Sequence, residues 1–259
     1  MATSEAPASR EPADYQPNVT TEGNGPAIVL VPGMDGTGRL FYRQVPLLAR
    51  AYTAVTYALR DDAADMATLV DDLARVVRSV VPEGERAVIV GESFGGTLAL
   101  SFAAAHPELV RALVVLNSFP YFRPHYRLRL AITGLGLMPW GAMGFVRRLT
   151  AFRLHSRYTH RDELKRFLRE TRSTTRGGYL SRLRILQQYD MRPHLGAIRA
   201  PTLFVAADRD HLVPSVEQAS YMVARTPGAS LHVLRGHGHI CLSAEGVDLG
   251  AIIREWGRA

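Results

Sequence analysis

Residues 87 to 97 read Ala-Val-Ile-Val-Gly-Glu-Ser-Phe-Gly-Gly-Thr. A short β-branched run ends in Gly91-Glu92-Ser93-Phe94-Gly95, and apolar residues at helical spacing (Leu98, Ala99, Leu100, Phe102, Ala103) follow at once. A strand that turns into a helix through G-x-S-x-G lifts the serine hydroxyl above the sheet, on a tight turn whose neighbours must be small. Gly91 and Gly95 meet that demand, which makes Ser93 a candidate nucleophile. Without the flanking strand and helix, the same pentapeptide would be only a glycine-rich turn with a structural serine.

Outward from this stretch, strand and helix patterns alternate. The spacing predicts strands over 27–31, 54–59, 87–90, 112–116, 202–206 and 230–234, and helices over 40–50, 66–80, 96–105, 215–224 and 247–256. Such alternation specifies an α/β fold, a mostly parallel sheet with helices on both faces. It stops at Asn117. Residues 118–199 hold 17 Arg or Lys against 4 Asp or Glu, carry helical patterns at 161–173 and 179–189, and contain no buried-strand signal. The expected organisation is a core over 25–117 and 200–259, a helical insertion over 118–199, and a disordered tail over 1–24 rich in Ala, Pro, Ser and Glu.

Composition narrows the function classes. The net charge of +7 invites a nucleic-acid reading, but the basic excess belongs to the 118–199 segment, while the remainder of the chain is net acidic. Solvated helix faces account for it, and attraction of an anionic substrate or anionic lipid is the functional alternative. No run of 18 apolar residues is present, so no membrane span is expected. The tail has no apolar core of a signal peptide. The single Cys241 rules out an intramolecular disulfide and fits a reducing cytoplasm. No H-E-x-x-H or similar spacing exists, and neither G-x-G-x-x-G nor G-x-x-x-x-G-K-[ST] occurs, so neither a metal nor a nucleotide cofactor is expected.

The interrupted alternation and the elbow together resemble the α/β-hydrolase fold with a lid inserted after the strand that follows the elbow helix; the resemblance covers residues 25 to 259. It implies a nucleophile, an acid and a base in that chain order. The stretch 206–214 reads Ala-Ala-Asp-Arg-Asp-His-Leu-Val-Pro. The family's acid sits four residues before such a proline, at Asp210; Asp208, nearer the strand, is the rival, and both carboxylates would also serve as turn or cap groups. Residues 235–242 read Arg-Gly-His-Gly-His-Ile-Cys-Leu, and the family pattern Gly-x-Gly-His places the base at His239, two residues after His237. The oxyanion donors implied are the backbone N–H groups of Phe94 and of Met34, the latter in the loop Val31-Pro-Gly-Met-Asp-Gly-Thr-Gly38. The family commonly opens with two antiparallel strands; only 15–25 is available for them here, so they are expected to be missing or vestigial.

The Pro-Gly-x-Asp-Gly-Thr-Gly loop and the Gly-Glu-Ser-x-Gly-Gly elbow are similar to those of the esterase and acyltransferase group that includes the plant phytyl ester synthases. That resemblance implies an acyl ester or thioester substrate, with water or an alcohol as acceptor. Residues 130–146 are apolar between Arg127, Arg129, Arg147 and Arg148, and four glycines and Pro139 make them a pair of short helices rather than a span. Met138, Trp140 and Met143 are the candidate wall of an acyl pocket, or else plain packing of the insertion on the core. The expected function is a cofactor-free serine carboxylesterase acting on a small-molecule ester, with no nucleic-acid or integral-membrane partner. An acyltransferase or thioesterase is the alternative, and a non-catalytic ligand receptor is the alternative of another class.

Overall fold

In the computed structural model, residues 16–123, 125–146, 148 and 160–259 are described. Seven strands form one sheet in the order β1-β3-β2-β4-β5-β6-β7: β1 Val19–Glu22, β2 Ala27–Val31, β3 Thr53–Tyr57, β4 Ala87–Glu92, β5 Val110–Leu116, β6 Thr202–Ala207 and β7 Ser230–Leu234. β2 to β7 are parallel, while β1 runs antiparallel to β3. Successive residues of a strand point to opposite faces. Along β2, Ala27, Val29 and Val31 enter one apolar cluster, and Ile28 and Leu30 enter the other.

Helices cover each face. α2 (Met66–Val80) and α3 (Phe94–Ala105) lie against the first cluster, joined by Ala219 and Met222 of α7 (Ser215–Val223). On the other face, α1 (Gln44–Leu48) packs on α8 (Leu249–Trp256), with Leu48, Leu249 and Ile253 wholly buried. Between β5 and β6 the chain runs through α4 (His125–Leu137), α5 (Arg161–Glu170) and α6 (Arg176–Gln188), with α4 packed on α6. The backbone bridge between Tyr121 and Asp190 ties the two ends of this excursion together.

Two expectations need correction. The tail was expected to be structureless over 1–24, yet Val19–Glu22 pairs with Tyr57–Ala54 as an edge strand; its first 15 residues lie outside those described. A four-residue strand of Val, Thr and Glu carries little local signal, and its pairing partner lies more than 30 residues away, so tertiary pairing decides it. One antiparallel opening strand is therefore present. The single helix expected over 40–50 is instead a 3-10 turn, Arg39–Phe41, followed by the five-residue α1.

Candidate active site

Sterics set the elbow. Ser93 has φ 56° and ψ −119°, between the last residue of β4 and the first of α3. A non-glycine residue held there stores about 1–3 kcal/mol of strain, which the surroundings must impose. They do so with backbone. A Cβ at Gly91 would strike the Gly95 carbonyl, and one at Gly95 would strike the Val31 carbonyl. The Ser93 N–H donates to the Leu116 carbonyl at 2.9 Å, and the Ser118 hydroxyl donates to the Ser93 carbonyl at 2.8 Å.

The structure brings Ser93, His239 and Asp210 together. His239 Nε2 lies 2.9 Å from Ser93 Oγ, and His239 Nδ1 lies 2.7 Å from Asp210 Oδ2. A carboxylate only accepts, so the pattern assigns the ring proton to Nδ1 and leaves Nε2 to accept from the serine hydroxyl. The Asp210 side chain is wholly buried. Burial alone would raise its pKa, but hydrogen bonds from His239 and from the Ser215 hydroxyl, together with the Val213 N–H, outweigh that and hold it below the usual carboxylate value. Asp208 does other work: its Oδ1 accepts from the Gly236 N–H at 2.6 Å, pinning the loop that leads to His239.

Met34 and Asp35 are the central residues of a turn closed by Gly36 N–H to the Gly33 carbonyl at 3.0 Å, which leaves the Met34 N–H outside the turn's own bond. Phe94 opens α3, where the first N–H groups of a helix have no intrahelical acceptor. One of these N–H groups thus opens the helix that follows Ser93, and the other belongs to the loop after β2, where Gly33 lies close to the Ser93 side chain. The three residues of the insertion are arranged differently. Trp140 stacks at 6.4 Å, tilted, on Tyr179 of α6; Met143 is buried; Met138 is half-buried at the end of α4. A cavity of about 350 Å³ lies beside the Asp35–Arg39 loop and is lined by hydroxyl, amide and carboxyl groups such as Asn18, Thr20, Asp61 and Thr174.

Two polar residues at this site were not singled out by the sequence reading. Asn117, at the end of β5, adopts φ 45° and is buried; its amide donates to the His239 carbonyl at 2.7 Å and accepts from the Ala207 N–H at 2.8 Å. Asparagine tolerates this left-handed conformation better than other side chains, and here it ties the histidine loop to β6. Glu92 lies inside the quoted elbow, but only the fold shows that its carboxyl is buried, with Oε1 lacking any hydrogen-bond partner. Burial, reinforced by the Asp35 and Asp210 carboxylates and opposed by His239, pushes its pKa from 4.5 up to about 7.

That shift has a definite sign. Between these two values the folded chain holds a proton that the unfolded chain has released, so stability falls as pH rises through the window and levels off above it. The whole effect is about 3 kcal/mol. Glu92→Gln removes it, so the variant should gain about that much over the unaltered protein at pH 8 relative to pH 4.5. Urea denaturation at both pH values checks this. Parallel behaviour of the two proteins would show that Glu92 titrates normally.

Among the described residues no helix is long and apolar enough to cross a membrane. Comparison with known proteins places the architecture. The family described as "alpha/beta hydrolase fold" matches residues 26–243. A Serratia proteamaculans protein named "Putative carbamate hydrolase RutD" is 27% identical over 244 residues, covering 89% of this chain and 90% of its own length. A thermophilic esterase from Thermogutta terrifontis superposes with a TM-score of 0.81 at 19% identity, covering 93% of this chain and 92% of that one. The enol-lactonase of Burkholderia xenovorans does so at 0.73 and 20% identity, covering 86% and 89%. With its parallel sheet, its elbow and a family match over most of its length, the chain is a hydrolytic enzyme that belongs to the α/β-hydrolase fold family.

Proposed function

We propose that this enzyme is a serine hydrolase of carboxylic esters that works through an acyl-enzyme on Ser93. The observation that carries the reading is the continuous hydrogen-bonded chain from Ser93 Oγ through His239 to Asp210. A serine hydroxyl is a poor nucleophile unless a base takes its proton as it attacks, and the base must be held in the correct tautomer. His239 Nε2 accepts that proton, Asp210 stabilises the resulting imidazolium, and the Met34 and Phe94 N–H groups receive the tetrahedral oxyanion. His239 then protonates the leaving alcohol. A water, deprotonated by the same ring, attacks the acyl carbonyl; the second tetrahedral intermediate collapses, the acyl–Ser93 bond breaks, His239 returns the proton to Ser93 Oγ, and the acid leaves.

In this reading the described helices between β5 and β6 belong to a lid, the 118–199 insertion, of which 124, 147 and 149–159 lie outside the described residues, and Met138, Trp140 and Met143 contribute an apolar wall for the acyl chain. A cytoplasmic location belongs to the same reading, supported by the single, buried Cys241. A second reading, cleavage of a carbamate, is favoured by the relative from Serratia; the same three side chains would serve it, since a carbamate carbonyl also passes through a tetrahedral oxyanion. Acyl transfer to an alcohol would use the same acyl-enzyme.

The test is a panel of p-nitrophenyl esters of increasing acyl length, run beside p-nitrophenyl carbamates and with a medium-chain alcohol added. Ester turnover well above buffer, with free acid as the main product, is the expected result. Preferential cleavage of carbamates would establish the second reading, and a product dominated by the new ester would make the enzyme an acyltransferase. Absence of turnover on every compound would remove the proposal.

A further inference from the structure

Arg182 projects from α6 and is only 1% exposed, the largest fully buried side chain among the described residues. Its guanidinium is spent on backbone. Nε donates to the Met34 carbonyl at 3.1 Å, Nη2 to the Asp35 carbonyl at 3.3 Å and Nη1 to the Arg60 carbonyl at 3.4 Å, while Nη2 lies 3.5 Å from Asp61 Oδ1. Two glycines clear its space. A Cβ at Gly36, which has φ +71°, would run into the guanidinium, and one at Gly178 would strike both Asp61 Oδ1 and Arg182 Nη2. The same helix is fastened nearby by Thr175 Oγ1, which donates to Asp61 Oδ2 at 2.7 Å, and by Ser181 Oγ, which donates to the Ala63 carbonyl at 2.5 Å.

An ion pair with Asp61 would be enough to anchor α6. The further contacts do something else, because two of the three carbonyls belong to the turn that presents the Met34 N–H. A planar fork with five donors spread over three nitrogens can grip two neighbouring peptide groups in a fixed plane and so fix the tilt of the loop; a lysine ammonium, whose three donors sit on one freely rotating nitrogen, cannot impose that plane. Donors that stabilise an oxyanion act only when held in place before charge develops.

We infer that Arg182 is a positioning residue through which the helical insertion sets the orientation of the Met34 N–H. The inference rests on the ester-hydrolase reading and adds a link to it: the insertion governs stabilisation of the transition state as well as access to the site. Movement of α6 away from the core would slacken the turn and weaken catalysis even with Ser93, His239 and Asp210 in register.

The experiment uses the full chain with Arg182→Lys, Arg182→Met and, as a control, Asp61→Asn, which removes the ion-pair partner and leaves the carbonyl contacts. The readouts are kcat and KM on one p-nitrophenyl ester, inhibition by an alkyl trifluoromethyl ketone, whose adduct carries an oxyanion, and hydrogen exchange of amides 33–38. The expected result for Arg182→Lys is a fall of about 10- to 100-fold in kcat with KM nearly unchanged. The ketone should weaken in the same proportion and the 33–38 amides should exchange faster, while Asp61→Asn changes kcat much less. An unaltered kcat in Arg182→Lys, a change confined to KM, or an equal kcat loss in Asp61→Asn would overturn the inference. Should Arg182→Met fail to fold, Arg182→Lys still decides. Failure of the hydrolase reading looks different: the unaltered protein would turn over no ester and form no Ser93 adduct.

Discussion

Ser93→Ala should lower kcat/KM on an activated ester by about four to six orders of magnitude while the protein stays folded. The substitution removes one oxygen and the 2.9 Å contact to His239 Nε2. It leaves the backbone strain of the elbow in place, because the Gly91 and Gly95 clearances and the bond to Leu116 do not involve the hydroxyl. The oxyanion donors and the binding surface also survive, so a residual rate above buffer should persist. Initial rates on highly purified protein, with thermal melting as the control for folding, check this. A loss smaller than tenfold would end the role given to Ser93.

Asp210→Asn should cost about three to four orders of magnitude in kcat, and the local geometry dictates why. Asp210 Oδ1 accepts two backbone N–H groups, from Leu212 at 2.9 Å and Val213 at 3.0 Å. An asparagine must place its carbonyl oxygen there, which turns its NH2 toward His239 Nδ1. A donor facing Nδ1 drives the ring proton to Nε2, and Nε2 then cannot accept the proton of Ser93. The wrong tautomer of an otherwise intact site is worth about 10⁴ in kcat. Asp208→Asn should stay within about tenfold, since it disturbs only the bond to the Gly236 N–H and a long, exposed ion pair with Arg235. Steady-state kinetics of the pair decide between them, and greater damage from Asp208→Asn would transfer the acid role to that residue.

β2 to β7 and the elbow were legible because each is written locally. β-branched runs mark the strands and small residues mark the turn at Ser93, while the chain order of the three side chains and the choice of Asp210, four residues before Pro214, came from the family resemblance; the structure brings that carboxylate to His239. What escaped depends on partners far apart in sequence. Arg182 is one basic residue in a segment crowded with them, and its targets lie near residues 35 and 60. Asn117 follows a predicted strand with no motif of its own, and its left-handed backbone is imposed by β6 and by the histidine loop. Glu92 sits within the elbow, yet burial of its carboxyl depends on the packing of the assembled sheet. β1 exists only because β3 offers it an open edge.

That outer strand also bears on how the molecule behaves among copies of itself. β3, Thr-Ala-Val-Thr-Tyr, is a β-branched and aromatic run of the kind that zips onto other strands when its flank is bare. β1 occupies that flank residue by residue from Val19 to Glu22. It is a poor template in its turn: four residues long, three of them exposed, and ending at a glycine with φ +90° that bends the chain away. A sticky border is thereby exchanged for a short, hydrophilic one that offers a neighbouring molecule little to grip, so the chain guards its own colloidal stability with a segment that lies outside the catalytic architecture.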